Sequence, residues 1–111
     1  MPTFERFDIV SVPFPYTDRP IRERRPALIV SLPAHEQRTG TIWVLMITSA
    51  QHRPWHGDVR LADHARAGLS IPSMIRTAKI ATVEAREAKR IGRPAASEIR
   101  TVRTALAQIL G

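Results

Sequence analysis

Two dense apolar runs constrain this chain more than anything else in it. Ala27-Leu28-Ile29-Val30 and Ile42-Trp43-Val44-Leu45-Met46-Ile47 are apolar at every position. Both are far shorter than the ~20 residues that span a bilayer. Such runs read as β-strands with both faces buried. Their ends are as informative as their middles. Arg24-Arg25-Pro26 leads into the first run, and Thr48-Ser49 closes the second. If the two strands pair antiparallel, Arg25 meets Thr48 at one rim of a sheet. A fixed cation beside a small hydrogen-bonding group suits a phosphate, and it suits the negative charge that grows during phosphoryl transfer.

Around these runs the pattern predicts a first strand over 8–13, ended by Pro13-Phe14-Pro15, because proline cannot donate to a ladder. A polar loop over 16–25 carries Arg19, Arg22, Arg24 and Arg25 against Asp18 and Glu23. The second strand is predicted over 27–32, and a turn region over 33–40 has Thr39-Gly40 as its tight point. A third strand covers 42–47, and a second polar loop, 50–57, holds His52, Arg53, Trp55 and His56. Short strands follow over 58–61 and 74–82, the latter interrupted near 76–79. Ala67-Gly68 marks a turn and Ile91-Gly92-Arg93-Pro94 a breaker. Over 96–110 the period changes: Ile99, Val102, Leu106, Ile109 and Leu110 recur at helical spacing. Short strands followed by one helix make a small curled sheet capped by that helix. Residues 1–111 read as a single domain, with no repeat or linker.

The net charge is +7, and Lys79 and Lys89 are the only lysines among the 17 basic residues. Such a surface attracts polyanions. Arginine forks onto phosphate and stacks on bases, so this balance favours a nucleic acid or an acidic protein partner. There is no cysteine, which rules out disulfides and thiolate metal sites and fits a cytoplasmic setting. The opening Met1-Pro2-Thr3-Phe4-Glu5-Arg6 is not a signal peptide, and no segment calls for a membrane.

One ordered set of motifs runs through nearly the whole chain: Phe7-Asp8-Ile9-Val10, Val12-Pro13-Phe14-Pro15-Tyr16-Thr17-Asp18, Arg25-Pro26-Ala27-Leu28-Ile29-Val30-Ser31 and Ile47-Thr48-Ser49. Then come Ala67-Gly68-Leu69, Pro72-Ser73-Met74-Ile75-Arg76 and Lys79-Ile80-Ala81-Thr82. Together they resemble the PemK/MazF family of toxins. The resemblance implies a mainly β fold, an SH3-like β-barrel with a C-terminal helix, assembled as a homodimer. It implies one half of a toxin–antitoxin pair: a metal-independent endoribonuclease that cuts single-stranded RNA without a cofactor and is held inactive by a cognate antitoxin. Arg25 then matches the family's catalytic arginine and Thr48 its catalytic threonine. Ser49 is a second donor at the same rim, and Arg22, Arg24, Arg53 and Trp55 are candidate RNA contacts. For Trp55, packing at the dimer interface is the competing reading.

Two departures stand out. One branch of the family places an Asp two residues after the arginine matched by Arg76, and here that position is Ala78. Glu23 is the nearest substitute base, and its plainer reading is a charge balancing its arginine neighbours. Where relatives commonly have Gly before Asp-Ile-Val, this chain has Phe7. His52 and His56 have a spacing that would serve a metal on a helix, but Pro54 opposes a helix there. Two rival functions share the composition: a nucleic-acid-binding module without catalysis, and a toxin of similar architecture acting on a protein such as gyrase.

Overall fold

The computed structural model describes residues 3–13 and 23–111. It contains β1 (Ile9–Pro13), β2 (Arg24–Ile29), α1 (Pro33–Thr39), β3 (Thr41–Ser49), β4 (Val59–Arg60), β5 (Ser73–Glu84), β6 (Lys89–Gly92) and α2 (Ala96–Leu110). A 3₁₀ turn, Ala85–Glu87, joins β5 to β6. The strands form one six-stranded sheet in the order β4-β5-β3-β2-β1-β6, and every pairing is antiparallel.

Both faces of the central strands are covered, as their dense apolar runs require. Leu28, Leu45 and Ile47 point into a core completed by Ile9, Val59, Ile75 and the α2 residues Val102 and Leu106. Their neighbours Ala27, Ile29, Val44 and Met46 point the other way, against Phe4, Val10, Val12 and Ala85. A one-residue slip in register would exchange these two sets.

The sheet curls rather than lying flat. Among the described residues β4 and β6 do not pair, so no closed ladder forms. Instead the segment after β4 lies against β6 backbone to backbone. A Cβ on Gly92 would sit 1.8 Å from the Ala67 carbonyl oxygen, and one on Gly68 would sit 2.0 Å from that of Ile91. Glycine at both positions lets the two ends of the sheet approach where a ladder is missing. The buried carboxylate of Asp8 ties the same edge together through Arg90 (3.2 Å) and Arg93 (3.3 Å).

Several boundaries differ from the sequence expectation. Residues 33–39 form helix α1, where a turn region over 33–40 is expected. Proline is tolerated at a first helical position, where its missing N–H has no partner to lose. Gly40 ends the helix in the left-handed conformation, φ 72°, with its N–H on the Glu36 carbonyl. The Glu36 carboxylate fastens the N-terminal segment by accepting from the N–H groups of Thr3 and Phe4 (2.8 and 3.2 Å). Strand β2 begins and ends earlier than 27–32, because Arg24 and Arg25 pair with Pro13 and Val12 of β1. The breaker expected at 91–94 is half strand, since Ile91 and Gly92 belong to β6. That edge strand is largely exposed and shows no apolar alternation. Helix α2 covers 96–110 as its period predicts. Glu98 caps it by accepting from Ala95 N–H (3.0 Å), and its second oxygen takes Ala62 N–H (2.6 Å).

Phe7 explains one departure in the sequence. Its φ is 72°, the conformation glycine adopts without cost, and it is the only described non-glycine residue with positive φ. The ring is buried, with the guanidinium carbons of Arg6 and Arg103 at 4.8 and 4.9 Å from its centre. Burial first, and the charge of Arg103 second, push Arg6 below the usual arginine range.

Candidate active site

The site is built where β2, β3 and β5 meet at one rim. The β2–β3 register runs Ile29↔Val44, Leu28↔Leu45, Ala27↔Met46. Continued two residues further, it sets Arg25 across from Thr48, as the ends of the two apolar runs imply. Strands alternate their side chains, so adjacent Arg24 and Arg25 go opposite ways. Arg25 faces a cleft of about 570 Å³ lined by Thr48, Ser49, His52, Ser73, Arg76 and Lys79, with Met46 and Leu69 among its apolar walls. That volume lies within the usual range for a small-ligand site.

The third wall comes from an irregularity in β5. Leu45 pairs with Ile80, but Ile47 pairs with Ile75. Arg76, Thr77, Ala78 and Lys79 therefore stand against Met46 alone, so β5 runs on as one strand but bulges where the sequence pattern is interrupted. Extra chain at a bulge redirects side chains. Here it brings both Arg76 and Lys79 to the cleft, while Ala78 is exposed and does not line it.

The bulge also holds the loop between β3 and β4. Arg76 donates from Nη2 to the Arg53 carbonyl (2.6 Å), and its Nε lies 3.6 Å from Asp58 Oδ2. Thr77 donates from its hydroxyl to the Gly57 carbonyl (2.8 Å). Gly57 permits that approach, because a Cβ there would lie 2.6 Å from Thr77 Oγ1. The guanidinium of Arg76 lies over the Trp55 ring, 4.1 Å from its centre, and the Trp55 backbone N–H donates to Asp58 Oδ2 (2.8 Å). Trp55 keeps 45% exposure, so part of the indole is open to solvent beside the cleft.

At the rim itself Thr48 Oγ1 and His52 Nδ1 are hydrogen-bonded at 2.5 Å. A turn folds His52 back, with its N–H on the Ser49 carbonyl (3.1 Å). Ser49 Oγ accepts from Gln51 N–H (3.2 Å). Arg25 and Glu23 form an ion pair at 2.5 Å, with both side chains about half exposed.

The candidates therefore separate. Arg25, Thr48, Ser49 and Arg76 converge on one cleft, and Trp55 and Arg53 stand on the loop beside it. Glu23 attaches to Arg25 without lining the cleft. Arg24 is directed elsewhere: Nε donates to Ser11 Oγ (2.9 Å), and Nη2 to the carbonyls of Ser11 (2.6 Å) and Glu87 (2.8 Å). Arg22 lies outside the described residues. Sequence reasoning missed Lys79 in the cleft and the bond of His52 to Thr48. Lys79 depends on the bulge. His52 is four residues past Thr48, and a strand end followed by a tight turn is the signal that would have placed it.

A cleft with cations and hydroxyls on several sides, and no carboxylate among the described residues of its lining, suits an anion. The family profile of PemK-like, MazF-like toxins of type II toxin–antitoxin systems matches residues 5–110. The chain belongs to that family. Among solved structures it resembles MazF in a MazE–MazF complex from Deinococcus radiodurans. That match is 25% identical with a TM-score of 0.78, covering 96% of this chain and 95% of that one. An endoribonuclease bound to its cognate antitoxin, from a mycobacterial species, aligns at 21% identity and TM-score 0.74 over 96% and 94% of the chains. A MazF toxin of Mycobacterium tuberculosis aligns at 20% and 0.72 over 91% and 93%. No curated protein matches the sequence.

Proposed function

We propose that this toxin is a metal-independent endoribonuclease acting on single-stranded RNA, and that a cognate antitoxin holds it inactive. The observation that carries the reading is the convergence of Arg25 and Thr48 on one cation-lined cleft. In metal-free cleavage the substrate's own 2′-hydroxyl attacks phosphorus. Negative charge builds on the non-bridging oxygens, and donors held in place stabilise it. Arg25 meets that charge with a guanidinium, and Thr48 fixes the phosphate with its hydroxyl. Lys79 adds positive charge to the cleft. Trp55 offers an indole surface on which an unpaired base can stack, a usual mode of single-strand recognition.

The basic cleft suits an antitoxin segment that is acidic and flexible before it binds. Family membership favours a cytoplasmic homodimer in which the RNA-binding faces are joined. The test is cleavage of long single-stranded RNA by purified protein in excess EDTA, with Arg25→Ala prepared alongside. Cutting by the wild type and not by the variant supports the reading. Equal cutting by both refutes the assignment of Arg25, and no cutting by folded wild type on several RNAs favours a binding module without catalysis.

A further inference from the structure

We propose that His52 is the general base of this toxin, accepting the proton of the attacking 2′-hydroxyl on Nε2 while Thr48 holds its Nδ1. The inference rests on the ribonuclease reading above and supplies the group that reading lacks. Ala78 can move no proton, no carboxylate lines the cleft among the described residues, and Glu23 is joined to Arg25. His52 is the one imidazole in the cleft lining, and it is fixed there by a hydrogen bond to the residue that would grip the phosphate.

General-base action requires one of the two tautomers that the Thr48–His52 bond allows. In it Nδ1 donates its proton to Thr48 Oγ1, which leaves the Thr48 hydroxyl hydrogen to donate to a phosphate oxygen. With Nδ1 protonated in the neutral ring, Nε2 carries the lone pair. The 2′-O–H bond breaks and its proton moves to Nε2. The O2′ electron pair forms the new P–O2′ bond, and the P–O5′ bond breaks with its pair on O5′. The departing O5′ takes a proton from water. The imidazolium returns its own to solvent when the cyclic phosphate leaves. The cations facing this site are Arg25 on β2 and Arg76 and Lys79 on β5. The carboxylates next to them, Glu23 and Asp58, are joined to Arg25 and Arg76 respectively.

The competing role for His52 is to position Thr48 without moving a proton, and the experiment separates the two. Single-turnover cleavage in EDTA is followed from about pH 5 to 9, the span over which imidazole charge ordinarily changes, for wild type, His52→Gln and His52→Ala. A Gln amide can still donate to Thr48 but cannot act as a base. General-base catalysis ordinarily contributes about 10²–10⁴-fold. The expected result is a loss of that order in both variants, with RNA affinity retained. The acid limb of the wild-type pH profile should disappear, and free imidazole should partly restore the rate of His52→Ala. Rescue by imidazole guards against a folding defect. A His52→Gln rate within a few-fold of wild type, with the acid limb intact, overturns the base assignment and leaves a positioning role. If the wild type itself does not cut, the ribonuclease reading fails and this inference fails with it.

Discussion

Replacing Arg76 with methionine tests whether this arginine acts as a strut beneath the 53–58 loop. Methionine keeps most of the volume and removes the charge. In the structure the Arg76 side chain is 10% exposed and that of Asp58 6%. Removing one member of a buried ion pair ordinarily costs about 3–5 kcal/mol, since the other charge is left without its partner. Here the Nε to Oδ2 separation is 3.6 Å, and Asp58 keeps the hydrogen bond from Trp55 N–H, which places the ionic part near the low end. Loss of the bond to the Arg53 carbonyl adds about 1.5–3 kcal/mol. The contact with Trp55 adds roughly 0.5–2 kcal/mol more. These contributions overlap, because one displaced side chain loses them together. We expect a net loss of about 3–4 kcal/mol in urea unfolding at neutral pH. Neutralising the stranded carboxylate with Asp58→Asn in the same chain should recover about 1–2 kcal/mol of it. A loss below about 1 kcal/mol for Arg76→Met, with unchanged tryptophan fluorescence, would refute the strut.

Three further perturbations probe other parts of the structure. Phe7→Gly relieves a left-handed backbone conformation costing about 1–2 kcal/mol but forfeits a buried ring worth about 3–5 kcal/mol. It should therefore lower stability by roughly 2–3 kcal/mol, and a stabilised variant in the same urea assay would contradict this balance. Gly92→Ala puts a methyl group 1.8 Å from the Ala67 carbonyl oxygen. Parting β6 from the 67–68 segment should cost upwards of about 2 kcal/mol, and an unchanged unfolding midpoint would mean the two ends of the sheet do not touch. Trp55→Ala should weaken binding of uncleaved RNA by about 1–3 kcal/mol, the usual worth of one stacked base. Unaltered affinity in a filter-binding titration would remove Trp55 from the RNA path.

The sequence carried the centre of this fold better than its edges. The apolar runs at 27–30 and 42–47 announced two strands buried on both faces, and their ends placed Arg25 across from Thr48. Both signals are local and strong: an unbroken apolar run has few other folds open to it. The period of α2 was legible for the same reason. Helix α1 was hidden because Pro33 and Gly40, read as turn punctuation, are also what opens and closes a short helix. Strand β6 was hidden because an exposed edge strand has no apolar face to leave a pattern. At the site, the limits are tertiary. The opposite directions of Arg24 and Arg25 follow from strand alternation once β2 is known to start at Arg24. Lys79 and the outward Ala78 depend on the β5 bulge, whose register is set by pairing with β3. Arg76 matches an arginine of one family branch, yet its hydrogen bond to the Arg53 carbonyl, its ion pair with Asp58 and its contact with the Trp55 ring all go to the 53–58 loop.

Attack by the substrate's 2′-hydroxyl at the Arg25–Thr48 rim, as proposed above, is probed with a short RNA that has one cleavage site, compared with the same strand carrying a single 2′-deoxy residue at the scissile position, both in excess EDTA. The all-RNA strand should yield a 2′,3′-cyclic phosphate and a free 5′-hydroxyl, and the deoxy-substituted strand should be bound but left intact. Cleavage at the deoxy position, or a product bearing a 5′-phosphate, would contradict it.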